Sequence, residues 1–367
     1  MQHIVTTTAA LTDWAARLQS APAIGLDTEF LRERTYRAEL CLIQAATADD
    51  ATCIDPLAQM PLTPLIPVLA GEDPSSGVAS PVKVMHASRQ DVEVLFPIAG
   101  LVRPVFDTQI AAALTGLPAQ VGYGELVRRT IGIELAKSHT RTDWSRRPLS
   151  PEQVEYALDD VRYLLPLKSS LEEQLDKLGR LPWLAEELAG LGDEQSFIVN
   201  PDDAWQRLKG LRGLDPGRTR LTHSLAAWRE RRAIDRNRPR GWILDDIALR
   251  EIVMRVPRTA DQLLLVPELP AGVVKNCADE LLGMIAEANV PDPPPPIVSR
   301  PRPSPEQTAL VRKLASLNQA IAQSLGLSPE VLATRRDIEQ LAEGGRDVPV
   351  LQGWRRGIVG EPMLAAL

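Results

Sequence analysis

Cysteine is scarce in this chain: Cys41, Cys53 and Cys277 are the only three in 367 residues. Their spacing matches no paired pattern, which excludes a disulfide framework and a cysteine-based zinc site as organising features. The four histidines are scattered rather than clustered. No apolar run reaches membrane-spanning length, about 18 residues, and the first thirty residues lack the basic-then-apolar pattern of a secretory leader. The expected compartment is therefore the cytoplasm, with no membrane partner.

What is present is the composition of an ordinary globular protein, 44% hydrophobic and 24% charged, long enough for two or three domains. The net charge of −7 is unevenly spread. Residues 1–195 hold 17 Lys/Arg against 27 Asp/Glu, whereas residues 196–290 hold 15 against 13 and residues 291–367 hold 9 against 8. The acidic excess thus sits in the first segment. Global charge governs solubility and steering and does not forbid a local basic stripe, so a nucleic-acid partner is neither demanded nor excluded.

The most informative stretch is Ile24-Gly25-Leu26-Asp27-Thr28-Glu29-Phe30. Its alternation is that of a strand, so Asp27 and Glu29 point from the same face a few ångströms apart. Two like charges held so closely are unfavourable unless neutralised, and a divalent cation does so. Taken alone, the pair reads more readily as a solvated pair at a strand end. Asp91 falls one turn into a predicted helix that Ser88 can cap, where a carboxylate also has the bland role of complementing the helix dipole. Ser150-Pro151-Glu152-Gln153 combines a Ser cap, Pro at the first helical position and Gln three residues after the cap. In the helix that follows, Tyr156 and Asp160 share one face, as a functional pair or as a surface hydrogen-bonded pair. Upstream, Lys137, Arg141, Arg146 and Arg147 surround Trp144, a basic loop with an aromatic platform suited to phosphates and stacked bases. Strands that give way to alternating helices predict a mixed α/β sheet.

In their order, Asp27-x-Glu29, Asp91 and Tyr156-x-x-x-Asp160 resemble the three motifs of the DEDDy 3′–5′ exonucleases. The flanking text is similar to the ribonuclease D family: Arg34-Thr-Tyr36, Leu40-Cys-Leu-Ile-Gln44, His86-Ala, Phe106-Asp107-Thr-Gln-Ile-Ala, Thr142-Asp-Trp-Ser-Arg-Arg-Pro148. The resemblance spans residues 1 to 175 and implies a ribonuclease H-like fold. It also implies two divalent ions, Mg²⁺ or Mn²⁺, the hard cations that carboxylate oxygens suit. Asp27, Glu29 and Asp160 would hold the first, Asp27 would bridge to the second, and Asp91 would assist there. Tyr156 would orient the attacking water. Phe30 and Leu31 would pack against the terminal base, with His86, Asp107, Trp144, Arg146 and Arg147 as further substrate contacts.

After Ser196 the pattern becomes helical, with helices expected over 204–209, 220–234, 245–256, 259–265 and 273–287. Eleven Lys/Arg against three acids lie between Arg207 and Arg240, a basic stripe or simply a solvated helix face. Leu225-x-x-Trp228-Arg229 and Pro239-Arg-Gly-Trp-Ile-Leu-Asp245-Asp resemble the HRDC domain, implied to be a nucleic-acid-binding helical bundle. Eight prolines in residues 291–305 predict an extended linker. Residues 306–367 are helical again, similar to a second, degenerate HRDC-like unit too small to bury much core unaided.

The expected organisation is an exonuclease domain (1–195), an HRDC domain (196–290), the linker (291–305) and a second helical domain (306–367). The expected activity is metal-dependent 3′–5′ exoribonuclease action on RNA, transfer-RNA precursors above all, by a monomer without a small-molecule cofactor. The competing readings are a DNA-directed 3′–5′ exonuclease and a non-catalytic nucleic-acid adaptor.

Overall fold

The structure is a computed structural model, described here for residues 4–71, 79–136, 142–211, 213–291 and 304–367. By contact it divides into two compact units. The first comprises Met1–Leu31, Leu40–Phe197 and Pro303–Leu367, and the second Arg32–Glu39 and Ile198–Arg302. Within the expected linker, residues 292–303 lie outside the described residues, as do Lys137 and Arg141 of the predicted basic loop.

The first unit is built on a six-stranded mixed sheet, β1 (Ile4–Val5), β2 (Ala23–Leu31), β3 (Glu39–Ala46), β4 (Ala51–Ile54), β5 (Val82–Met85) and β6 (Val105–Asp107), in the order β1-β4-β3-β2-β5-β6. β3 and β4 form an antiparallel hairpin turned at Asp49-Asp50, whereas β1 runs parallel to β4 and β2, β5 and β6 run parallel to one another. One face of the sheet buries Ile24, Leu26, Ile43 and Ile54 against Leu11, Trp14 and Leu18 of the Thr8–Ser20 helix and Val92 and Leu95 of the Arg89–Ala99 helix. On the opposite face the Pro151–Arg162 and Leu164–Lys177 helices come down onto Gly25. A Cβ there would stand 2.8 Å from the Val161 carbonyl oxygen, so only glycine lets the helix approach the strand this closely.

The C-terminal helices share that packing. Leu314 and Ala322 of the Pro305–Leu325 helix, with Leu332, Leu341 and Val359, lie in one core with Ala111, Leu114, Leu167, Leu171 and Leu184. Trp354 stacks on Trp183 at 4.3 Å and donates its indole N–H to Glu187, 2.7 Å away. After the Pro305–Leu325 helix the chain forms two short helices, Pro329–Leu332 and Arg335–Ala342. Ala333 is extended, and Thr334 starts the second helix with a capping box closed by Asp337.

In the second unit, the Pro216–Asp235, Asp246–Arg255 and Ala271–Glu287 helices enclose Leu221, Leu225, Leu249, Ile252, Leu281 and Ile285. Residues Pro201–Arg207 form a 3-10 helix rather than the α-helix expected from 204 to 209. Among the described residues no helix is long and apolar enough to cross a membrane.

Candidate active site

β2 delivers Asp27 and Glu29 on the face to which the Pro151–Arg162 helix brings Asp160. Each of these three half-buried carboxylates offers an oxygen such that the set lies within 4.8 Å. Burial, and then the charges of Asp91, Asp160 and Glu29, hold the Asp27 carboxyl well above its ordinary value. Burial followed by Asp160 and Asp91 pushes Glu29 up to about 8, and burial followed by Asp159 pushes Asp160 up to about 7. A cluster that resists its own ionisation in this way becomes favourable when a divalent cation shares its oxygens. An all-carboxylate donor set fits hard Mg²⁺ or Mn²⁺.

Asp91 stands outside that tight triad and is positioned by other means. Thr28, whose side chain alternates with those of Asp27 and Glu29, donates its hydroxyl to the Asp91 carboxylate at 2.5 Å. Burial pushes the Asp91 carboxyl up to about 6 against that hydrogen bond. Ser88 does not cap this helix with its side chain, as the sequence suggested; it is in helical conformation and its hydroxyl donates to Asp107 at 2.8 Å. The Asp107 carboxylate also accepts from the backbone N–H groups of Ala87, Ser88, Gln109 and Ile110. It thereby caps its own helix, Thr108–Thr115, and pins the entry to the Asp91 helix.

The helix bearing Tyr156 and Asp160 begins as the sequence predicts. The Ser150 hydroxyl accepts from the Gln153 N–H at 3.3 Å, and the Gln153 side chain accepts from the Ser150 N–H at 2.7 Å. Tyr156 is half-buried, and burial, then Asp160, raise its phenol above the ordinary value.

Several residues expected to touch substrate are engaged elsewhere. Trp144 is not an exposed platform: only 5% exposed, it packs on Tyr156 with ring centroids 6.2 Å apart, because its apolar ring completes a small core with Cys41, Leu42, Cys53 and Leu158. Arg147 is bound by both carboxylate oxygens of Asp55, each at 2.7 Å, and donates to the Cys41 carbonyl. Buried Asp107 is occupied as described. Both ring nitrogens of His86 have protein partners, Thr108 Oγ1 and the Val121 carbonyl. Arg146 is exposed beside Asp143, and Phe30 and Leu31 are half-buried at the end of β2. Two residues that sequence reasoning passed over matter here. Thr28 orients Asp91. Tyr123 donates its hydroxyl to the Asp159 carbonyl and packs edge-on against His86. The place of Thr28 between the two acids was the one available signal; Tyr123 had none.

The basic stripe of the second unit is largely paired internally: Arg229 with Asp246, Arg231 with Asp202, Arg232 with Glu280, and Arg240 with Glu230. Trp242, 60% exposed, lies beneath the Arg238 guanidinium at 5.7 Å.

Comparison with known proteins agrees with this geometry. Residues 2–176 match the 3′–5′ exonuclease family and residues 218–285 the HRDC domain. Ribonuclease D of Jannaschia sp. (strain CCS1) is 40% identical across 100% of this chain and 95% of its own length. That of Nitrobacter hamburgensis is 36% identical across 99% and 94%. The crystal structure of Escherichia coli RNase D, described as an exoribonuclease involved in structured RNA processing, is similar with a TM-score of 0.87. Its identity is 30%, covering 100% of this chain and 98% of that one.

Proposed function

The chain belongs to the ribonuclease D family and is a 3′–5′ exoribonuclease; from that premise we propose that it trims the 3′ ends of structured RNA one nucleotide at a time, transfer-RNA precursors foremost. The observation that carries this reading is the convergence of Asp27, Glu29 and Asp160 within 4.8 Å. These three would hold one Mg²⁺ or Mn²⁺, with Asp27 shared with a second ion that Asp91 assists. Two such ions, when bound, supply charge stabilisation for both the entering and the departing oxygen of a phosphodiester.

The protein's own groups have separable tasks. Asp27, Glu29 and Asp160 bring the negative charge that makes the site selective for divalent cations. Tyr156, with its phenol raised above the ordinary value, keeps its proton at neutral pH. Its hydroxyl therefore orients the nucleophile by hydrogen bonding and does not act as the base. Phe30 and Leu31, half-buried beyond Glu29, offer an apolar rest for the terminal base. Exposed Trp242 with Arg238 suits stacking and phosphate contact on the body of the RNA.

One chain supplies the whole carboxylate set, which supports action as a monomer, and three buried cysteines outside any disulfide suit the reducing cytoplasm. The test is the product profile on 5′-labelled RNA with Mg²⁺, run beside a matched DNA. A one-nucleotide ladder on RNA is expected. Degradation of DNA at an equal rate, or activity undiminished by a chelator, would overturn the proposal.

A further inference from the structure

Gln44 of β3 is completely buried, and neither its amide nitrogen nor its amide oxygen has a hydrogen-bond partner. An apolar side chain of similar size would avoid the cost of burying an unpaired amide, so the residue calls for a use in some other state of the site.

Its place in the sheet points to that use. β3 lies between β4 and β2, and Gln44 is opposite Cys53 in β4. A Cβ on Gly25 would meet the Ala46 Cβ at 3.5 Å, so Gly25 and Ala46 are neighbours across β2 and β3 on the helix-covered face. β2 and β3 are consecutive, adjacent strands joined directly, the arrangement of an antiparallel hairpin. Two residues forward along β2 is Asp27, and two residues back along β3 is Gln44. With side chains repeating every second residue, the two stand side by side on that face, at a cross-strand Cβ separation of about 4.5–5.5 Å. A separate observation agrees: Cys53, the β4 partner of Gln44, packs in one core with Leu42 of β3 and with Ala157 and Leu158 of the Pro151–Arg162 helix, whereas Ile43 and Ile54 face the opposite core. Gln44 and Cys53 therefore share the helix-covered face that carries Gly25 and Asp27.

We infer that Gln44 is a positioning residue for the cation site, its amide N–H donating to the ionised Asp27 carboxylate and fixing which oxygen turns toward the cation. This rests on the cation-binding reading given above and adds a residue to it. Gln44 touches neither the reacting phosphate nor the nucleophile; it acts through Asp27.

The experiment measures Mn²⁺ affinity of the full chain without RNA, by calorimetry or electron paramagnetic resonance, for wild type, Gln44→Leu, Gln44→Met and Asp27→Asn. Gln44→Met keeps the length of the side chain and guards against a folding defect in Gln44→Leu. The expected result is a loss of Mn²⁺ affinity of about 10–100-fold in the Gln44 variants, the range for a group that orients a metal ligand. Their metal-free melting temperature should be unchanged or higher, since the orphan amide is gone. A purely structural Gln44 would give the reverse, a lower melting temperature with wild-type affinity. Folded Gln44→Met that binds Mn²⁺ as wild type does, while Asp27→Asn loses binding, overturns the role of Gln44 alone. Wild-type affinity in Asp27→Asn overturns the cation site and this inference with it.

Discussion

At the scale of single residues, the site depends on charges that the fold concentrates against their own preference. Glu29, near 8, and Asp160, near 7, bind protons in the folded chain at pH values where the unfolded chain has released them. Stability from these groups is complete below their ordinary range of about 4 and is lost as pH rises through the folded values. The metal-free protein should therefore melt at a lower temperature at about pH 8.5 than at about pH 6. Asp160→Asn should flatten the difference, and Mn²⁺ should raise the melting temperature most at the higher pH. Scanning calorimetry at the two pH values checks all three. Asp27→Ala or Asp160→Ala should reduce mononucleotide release by more than about 100-fold, beyond the effect of losing a ligand's supporting partner. RNA binding should persist, as read by filter retention beside the cleavage assay.

At the scale of elements, the helices that bring Asp160 and Asp91 to the candidate site each have a chemically specified start. The Ser150 capping box fixes the first turn beneath Tyr156 and Asp160. Ser150→Ala should cost about 1 kcal/mol of stability, typical of a lost cap, with a smaller effect on the RNA affinity than on turnover. Asp107 is the more demanding case. Its buried carboxylate accepts four backbone N–H groups and the Ser88 hydroxyl, joining two helix starts. Asp107→Ala leaves several buried donors unpaired and should destabilise by about 3 kcal/mol or more, measured by urea titration. The capping box was legible in the sequence because its residues are contiguous. The use of Asp107 was not, because its partners at 87 and 88 are nearly twenty residues upstream and only the β5–β6 pairing brings them together.

At the scale of the molecule, the C-terminal helices are part of the nuclease core. Leu314, Ala322 and Leu332 pack with Leu114, Leu167 and Leu171, and Arg180 donates to the carbonyls of Leu114 and Leu325. A chain ending at residue 302 would expose that apolar surface and leave Arg180 with half of its bonds. It should be insoluble or partly unfolded, with circular dichroism showing loss of more helix than residues 304–367 contain. A truncated chain that is monomeric and fully active would contradict this.

The order and chemistry of the acids, the Ser150 capping box and the change from mixed sheet to helices were fixed by local residue pattern, because period and capping chemistry act over a few positions. The resemblance to ribonuclease D rested on the same short words. The convergence of Asp160 on Asp27 and Glu29 follows from the close seat of the Pro151–Arg162 helix on Gly25, and only the packed sheet decides it. Packing also decided that Trp144 is core, that Arg147 belongs to Asp55, and that the Gln44 amide is buried without a partner, since burial and pairing arise between segments far apart in the chain.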